Sequence, residues 1–196
     1  MWRPPGQQAR ALGEYFADIH FTAIHASDLK RAFTTAQALY VHQRDPKPSF
    51  DSSELLREQN FGVAEGKPWT FEDDSTLTLE EHIAKGIYPV LYGDDEKFPQ
   101  GESMNDLAER ARTSLERFVL PHVRQAAKEG KNGMHVAVVS HGLCISELIS
   151  ELLKMGVKQS RETNYRGLWN TAWTRVVIDI EVSSRGKRSD PSSNIS

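Results

Sequence analysis

The most constraining stretch of this chain is His135-Val136-Ala137-Val138-Val139-Ser140, an apolar run followed at once by His141-Gly142 and a helical pattern from Ile145 to Met155. An apolar run without polar alternation is characteristic of a strand covered on both faces, as in a parallel sheet. A helix opening directly after it is the α/β arrangement. The rest of the sequence repeats the theme. Residues 7–18 carry Ala9, Leu12 and Phe16 at helical spacing. Phe21-Thr22-Ala23-Ile24-His25 reads as a strand, and Ser27-Asp28 is expected to cap a helix whose apolar stripe (Leu29, Ala32, Phe33, Ala36, Leu39, Tyr40) ends near Gln43. Asp45-Pro46-Lys47-Pro48 breaks that helix, and Phe50 to Leu56 leads into the Gly-punctuated loop Arg57 to Trp69.

Residues 70–99 are acidic, with a short helix expected around Leu79 to Lys85, and read as an insertion over one edge of the fold. Ser103 with Asp106 three residues on resembles a capping box, ahead of a long helix through Leu107, Ala111, Leu115, Phe118 and Val119 to about Lys128. Thr171 to Val182 is expected to be the last strand, and the Ser-rich, partly basic tail 183–196 to be disordered. The elements run α, β, α, loop, insertion, α, β, α, β. They predict a three-layer α/β sandwich with a mostly parallel central sheet, forming one domain over 1–182 with an insertion at about 70–100.

Composition narrows the function classes. With 24 Lys plus Arg against 27 Asp plus Glu the formal charge is −3, so no global basic field favours nucleic acid or a membrane surface. No stretch approaches the ~20 continuous apolar residues of a membrane span, and the first residues lack the apolar core of a signal peptide. The lone Cys144 cannot form an intrachain disulfide. A reducing, cytoplasmic compartment is therefore expected, and the Arg185-Gly186-Lys187-Arg188 stretch leaves the nucleus open.

Ser140-His141-Gly142 lies where a strand gives way to a helix. At such carboxyl ends of parallel strands ligands bind, and the amides opening the helix attract anions. His141 is thus placed for a phosphate or carboxylate, and Gly142 permits close backbone approach. Arg31, on the first turn after Ser27-Asp28, could grip a phosphate bidentately, or else pair with Asp28 or another acid. Glu58 could serve as general acid, since a carboxyl beside an aromatic and an anionic substrate is pushed toward its protonated form. Cys144 reads as a small buried residue. His135 and His141, six apart and expected on one strand face, lack a third ligand, so no metal and no cofactor is expected.

Four segments taken together, SDLKRA at Ser27 to Ala32, LREQNFGVAEGKPW at Leu56 to Trp69, GES at Gly101 to Ser103 and VSHG at Val139 to Gly142, resemble the histidine phosphatase superfamily, the phosphoglycerate mutase-like fold. Fructose-2,6-bisphosphatase-like and fungal phosphoglycerate-mutase-type phosphatases are the most similar branches, and the resemblance spans roughly residues 6 to 180. It implies that His141 is the second pocket histidine, Arg31 a phosphate-binding arginine and Glu58 the proton donor to the leaving oxygen. It also implies a phosphohistidine formed on an Arg-His-Gly motif ending a first strand. No Arg-His-Gly occurs in these residues. Helical periodicity starts almost at Gln7, so the domain is expected to be N-terminally truncated, with the first strand missing from inside the sheet and unpaired backbone left beside it.

His25 is the nearest stand-in for the nucleophile, in a different strand setting. The expected function is hydrolysis of small phosphomonoesters, a sugar phosphate or similar, with this chain lacking the nucleophile. The alternative is a catalytically inactive pseudophosphatase that binds a phosphorylated ligand or protein partner. A mutase finds no support. Lys85, Tyr88, Tyr92 and Lys97 of the insertion are expected near the non-phosphate part of the substrate, and Asn170-Thr171-Ala172 near the pocket floor. Oligomeric state is not encoded in any visible pattern.

Overall fold

The strand β1 (Ala23–Ser27) is buried at every residue and pairs in parallel with both of its neighbours. A computed structural model describes residues 4–71, 74, 76–156 and 171–179. Among these the sheet runs in the order β2-β1-β3, with β2 at Ser49–Ser53 and β3 at Val136–Val139. The helices are α1 (Pro5–Tyr15), α2 (Lys30–Val41), α3 (Leu79–Ala84), α4 (Met104–Ser114), α5 (Leu120–Glu129) and α6 (Gly142–Lys154).

The two-residue alternation of a strand divides the side chains of β1 between two cores. Ile24 and Ala26 face Phe21, Ala36 and Leu39, with Ala137 and Val139 packed alongside. On this side α1 and α2 lie so close that a Cβ at Gly13 would come within 2.4 Å of the Ala38 carbonyl, which excludes any larger residue there. The opposite core joins Leu56, Leu107, Ala111, Leu115, Phe118, Cys144 and Leu148, with Val138 packed against it. Helices cover both faces of the sheet, so the expected three-layer α/β sandwich is present.

Several local expectations need correction. Leu29, not Ser27 or Asp28, is the N-cap of α2, while Ser27 Oγ accepts the Leu29 amide at 3.2 Å as the chain turns out of β1. β2 carries no strand signal in its sequence: Ser-Phe-Asp-Ser-Ser has the polarity of a solvent-facing edge, and pairing with β1 holds it extended. The long helix divides at a π turn, Leu115–Val119, because Pro121 has no N–H to offer Arg117. The Ser103–Asp106 capping box forms on both sides. β3 is only half-buried, despite its apolar run, because β1 is its one strand neighbour among the described residues. Residues 171–179 form no strand; Val176, Val177 and Ile178 are exposed, and no ladder among the described residues receives them. Trp2, Trp169, Asn170, Glu72, Asp73 and the tail lie outside the described residues.

Leu107 is fully buried at the centre of the second core. Leu107→Ala is expected to lower the unfolding free energy by about 2–5 kcal/mol, measured by urea denaturation at pH 7.

Candidate active site

The parallel register delivers three chain segments to one edge of the sheet. Ser27 pairs with Ser53, and Ala26 with Val139, so the residues that follow each strand emerge side by side. After β1 the chain reaches Arg31 on the first turn of α2. Following β2 it passes through a short 3-10 turn, Glu54–Leu56, to Glu58. Beyond β3 it reaches His141, the N-cap of α6.

Two of the expected residues meet directly. Arg31 Nε donates to His141 Nδ1 at 2.9 Å, and His141 Nε2 lies 2.9 Å from Ser27 Oγ. A guanidinium can only donate, so Nδ1 is the acceptor and Nε2 carries the proton toward Ser27. His141 is 6 % exposed. Burial first, then the positive charges of Arg31 and Arg110, push its pKa down to about 4, against a partial offset from Asp28. The imidazole is neutral at pH 7.

Arg31 does not pair with Asp28. That carboxylate instead accepts a two-pronged bond from Arg57, at 2.8 Å to Nε and 2.5 Å to Nη2, and the Arg57 hydrogen bond holds Asp28 below its ordinary pKa. The pairing joins the turn after β1 to the turn after β2 and leaves Arg31, exposed at its outer end, bonded through Nε to His141 alone among the described residues.

Glu58 meets the start of α6. Its carboxylate accepts the amides of Leu143 at 3.3 Å, Cys144 at 3.1 Å and its neighbour Gln59 at 3.1 Å. Two orphan donors of a helix N-terminus are thus satisfied by a side chain from another segment. The expectation that these amides would stand open to an anion is corrected: Glu58 already holds them. A Cβ at Gly142 would sit 3.9 Å from Glu58 Oε2, an ordinary contact, so this glycine is not forced by its surroundings.

The remaining readings fall out as follows. Cys144 is buried, and burial pushes its thiol up. His25 shares a sheet face with Ser27, and its Nε2 faces His122 Nε2 at 3.2 Å. His135 and His141 do not share a strand face, because β3 ends at Val139. Lys97 is paired with Asp106 at 2.6 Å, Tyr88 packs on Phe98, and Tyr92 is exposed. Gly62, at φ +58°, lets the Glu58 loop pass against Pro99 to Gly101, where a Cβ would come within 2.2 Å of the Pro99 carbonyl. No described helix is long and apolar enough to cross a membrane.

Sequence reasoning missed Arg57, Glu102 and Arg110. The last two form a forked ion pair, Nε to Oε1 at 2.7 Å and Nη2 to Oε2 at 2.8 Å, beneath the Glu58 loop. Glu102 stood inside the Gly-Glu-Ser segment, but nothing local in the sequence ties Arg110, eight residues later, to that loop.

The sequence profile of the histidine phosphatase superfamily (branch 1) matches residues 6–184. The chain belongs to this superfamily. Histidine phosphatase relatives include a Bacillus subtilis protein named as an uncharacterized phosphatase, 31% identical over 146 residues that cover 74% of this chain and 61% of the relative. A probable phosphoglycerate mutase of Erwinia tasmaniensis is 29% identical over 165 residues, covering 82% of this chain and 66% of that protein. Over a shorter stretch of 65 residues the chain is 45% identical to fructose-2,6-bisphosphatase TIGAR B of Danio rerio, covering 32% of this chain and 24% of that one. The chain therefore spans between a quarter and two thirds of the length of these relatives. Among solved structures, a mycobacterial glucosyl-3-phosphoglycerate phosphatase in complex with inorganic phosphate superposes with a TM-score of 0.56 at 25% identity, over 78% of this chain and 68% of that one. A phosphoglycerate mutase from Bacillus anthracis gives 0.50 at 26% identity, over 81% and 71% of the two chains. The likeness establishes a phosphatase or mutase-type family and a phosphoglycerate mutase-like fold.

The depressed pKa of His141 has a thermodynamic consequence. Between an ordinary value of 6.5 and about 4 the unfolded chain binds a proton that the folded chain refuses, so this contribution is whole above pH 6.5 and is lost as the pH falls toward 4. Urea unfolding from pH 7 to 4.5 is expected to show a steeper loss of stability in the native chain than in a His141→Gln variant. Parallel slopes would contradict the buried neutral imidazole.

Proposed function

We propose that this chain carries the phosphate-binding and proton-donating parts of a histidine phosphatase site acting on small phosphomonoesters, sugar phosphates or similar compounds. The observation that supports the reading most is the Arg31–His141–Ser27 chain of hydrogen bonds at the carboxyl ends of β1 and β3. A neutral histidine whose ring is already oriented, beside an arginine with an exposed outer end, is a ready pair of donors for phosphoryl oxygens.

Each residue then has a role. Arg31 presents its guanidinium to two phosphoryl oxygens. His141 turns Nε2–H from Ser27 toward a third. The carboxyl of Glu58, in its protonated form, passes its proton to the leaving alcohol oxygen and is left as the carboxylate that the Leu143 and Cys144 amides hold. With the Leu143 and Cys144 amides held by Glu58, it is the Gly142 amide that we assign to the phosphate. Phosphoryl transfer depends on such positioning and charge stabilisation, with a covalent nucleophile dividing it into two easier steps. The family resemblance puts that nucleophile in an Arg-His-Gly segment, and the 196 residues contain none. On this reading these residues bind phosphate without turning over esters, and hydrolysis belongs to a protein that supplies the segment.

The test pairs binding with turnover on the 196-residue chain. Inorganic phosphate is expected to bind by calorimetry, and Arg31→Ala to weaken it by at least about tenfold, the weight of a charge-assisted bidentate contact. p-Nitrophenyl phosphate is expected to remain intact. Absence of phosphate binding would overturn the site, and turnover abolished by His25→Ala would move the nucleophile to His25. Binding of a phosphorylated protein in preference to free phosphate would favour the pseudophosphatase alternative.

A further inference from the structure

We propose that Arg110, with Glu102, is the positioning residue of the site: it holds the Glu58 loop at the one height from which the Glu58 carboxylate reaches the start of α6. The inference rests on the reading of Glu58 as proton donor and concerns how that carboxylate is kept in place.

Arg110 rises from the middle of α4 and is 15% exposed at its side chain. Its Nη1 donates to the carbonyls of Leu55 at 3.0 Å and Arg57 at 2.8 Å, and Nη2 donates to the carbonyl of Glu58 at 3.1 Å. Nε and Nη2 grip the two oxygens of Glu102. One guanidinium therefore fastens three backbone carbonyls of the loop, and the planar fork fixes their relative placement in a way no ammonium could.

Glu102 completes the frame from the far side. Its Oε2 accepts the Asn60 amide at 2.9 Å, its backbone carbonyl accepts Gln59 Nε2 at 2.8 Å, and its own amide donates to the Asn60 carbonyl at 2.7 Å. Burial alone would raise the Glu102 pKa, but the bonds from Arg110 and Asn60 outweigh it and hold the carboxyl below its ordinary value. The loop from Leu55 to Asn60 is thus tied on both sides of Glu58. What anchors the frame is α4 itself, whose first turn is locked by the Ser103–Asp106 capping box and whose Leu107 and Ala111 are buried in the second core. Without the frame, Glu58 would be a loop glutamate with many rotamers. With it, the carboxylate meets two particular amides.

Amide exchange in the 196-residue chain reads this positioning without any phosphate or turnover, so the outcome is separate from that of the phosphate test. In the native chain the Leu143 and Cys144 amides are expected to be protected, and Glu58→Ala sets their exchange when the acceptor is gone. Arg110→Lys keeps the charge and loses the fork. It is expected to speed exchange at Leu143 and Cys144 by at least about tenfold, toward the Glu58→Ala level. Ile24 and Ala137 in the sheet should stay as protected as in the native chain, and His141 should keep its low titration. Arg110→Met is expected to speed the same two amides and also to raise the His141 titration, since a nearby positive charge is removed. Should Arg110→Lys not fold, Glu102→Gln carries the same readings. A folded variant of either kind whose Leu143 and Cys144 amides stay at native protection overturns the proposal. So does a loss of protection spread equally over the sheet, which would make Arg110 a general stabiliser.

Discussion

The site depends on a single imidazole fixed between two partners. His141 accepts from Arg31 and donates toward Ser27, residues 110 and 114 positions away in the sequence. Such a contact between positions 27, 31 and 141 exists only because β1 and β3 run parallel and in register, so that both strands end at the same edge. Moving the register by one residue would turn Ser27 to the opposite core and break the link. Sheet pairing is thus the constraint from which the chemistry of this edge follows.

Around that imidazole the charges are sorted by hydrogen bonding rather than by proximity in sequence. Arg57 takes Asp28, which leaves Arg31 for His141; Glu102 takes Arg110, which leaves Glu58 for the amides of α6. On the proposed reading, each structural ion pair removes a competitor from a group of the site. Of the segments that carry the family resemblance, the one around Arg57-Glu58 therefore places a structural residue beside one assigned to the site, while Gly101-Glu102-Ser103 supplies structural contacts.

Much of this architecture was legible from periodicity. The stripes of α2 and α4, the capping box at Ser103 and the strand-to-helix step at His141 are local features, and local physics fixes them. β2 was illegible because its residues are polar and its extension comes from the partner strand. The apolar run of β3 is covered on both faces, Ala137 and Val139 in one core and Val138 in the other, and its half-burial comes from having a strand on one edge only among the described residues. Val176 to Ile178 has strand-forming residues and no ladder among the described residues, so β-propensity alone does not make a strand there. At the site, Arg31, Glu58 and His141 stood out by position and resemblance. The Arg110 frame did not, since a guanidinium that bonds backbone carbonyls more than fifty residues away leaves no spacing signature.

The orientation of the His141 ring is the point at which fold and chemistry meet, and its tautomer reports it. A long-range proton–nitrogen NMR spectrum of the 196-residue chain at pH 7 distinguishes the forms. The account predicts a neutral ring protonated at Nε2, with Nδ1 as the acceptor facing Arg31. A ring protonated at Nδ1, or an imidazolium at that pH, would contradict it.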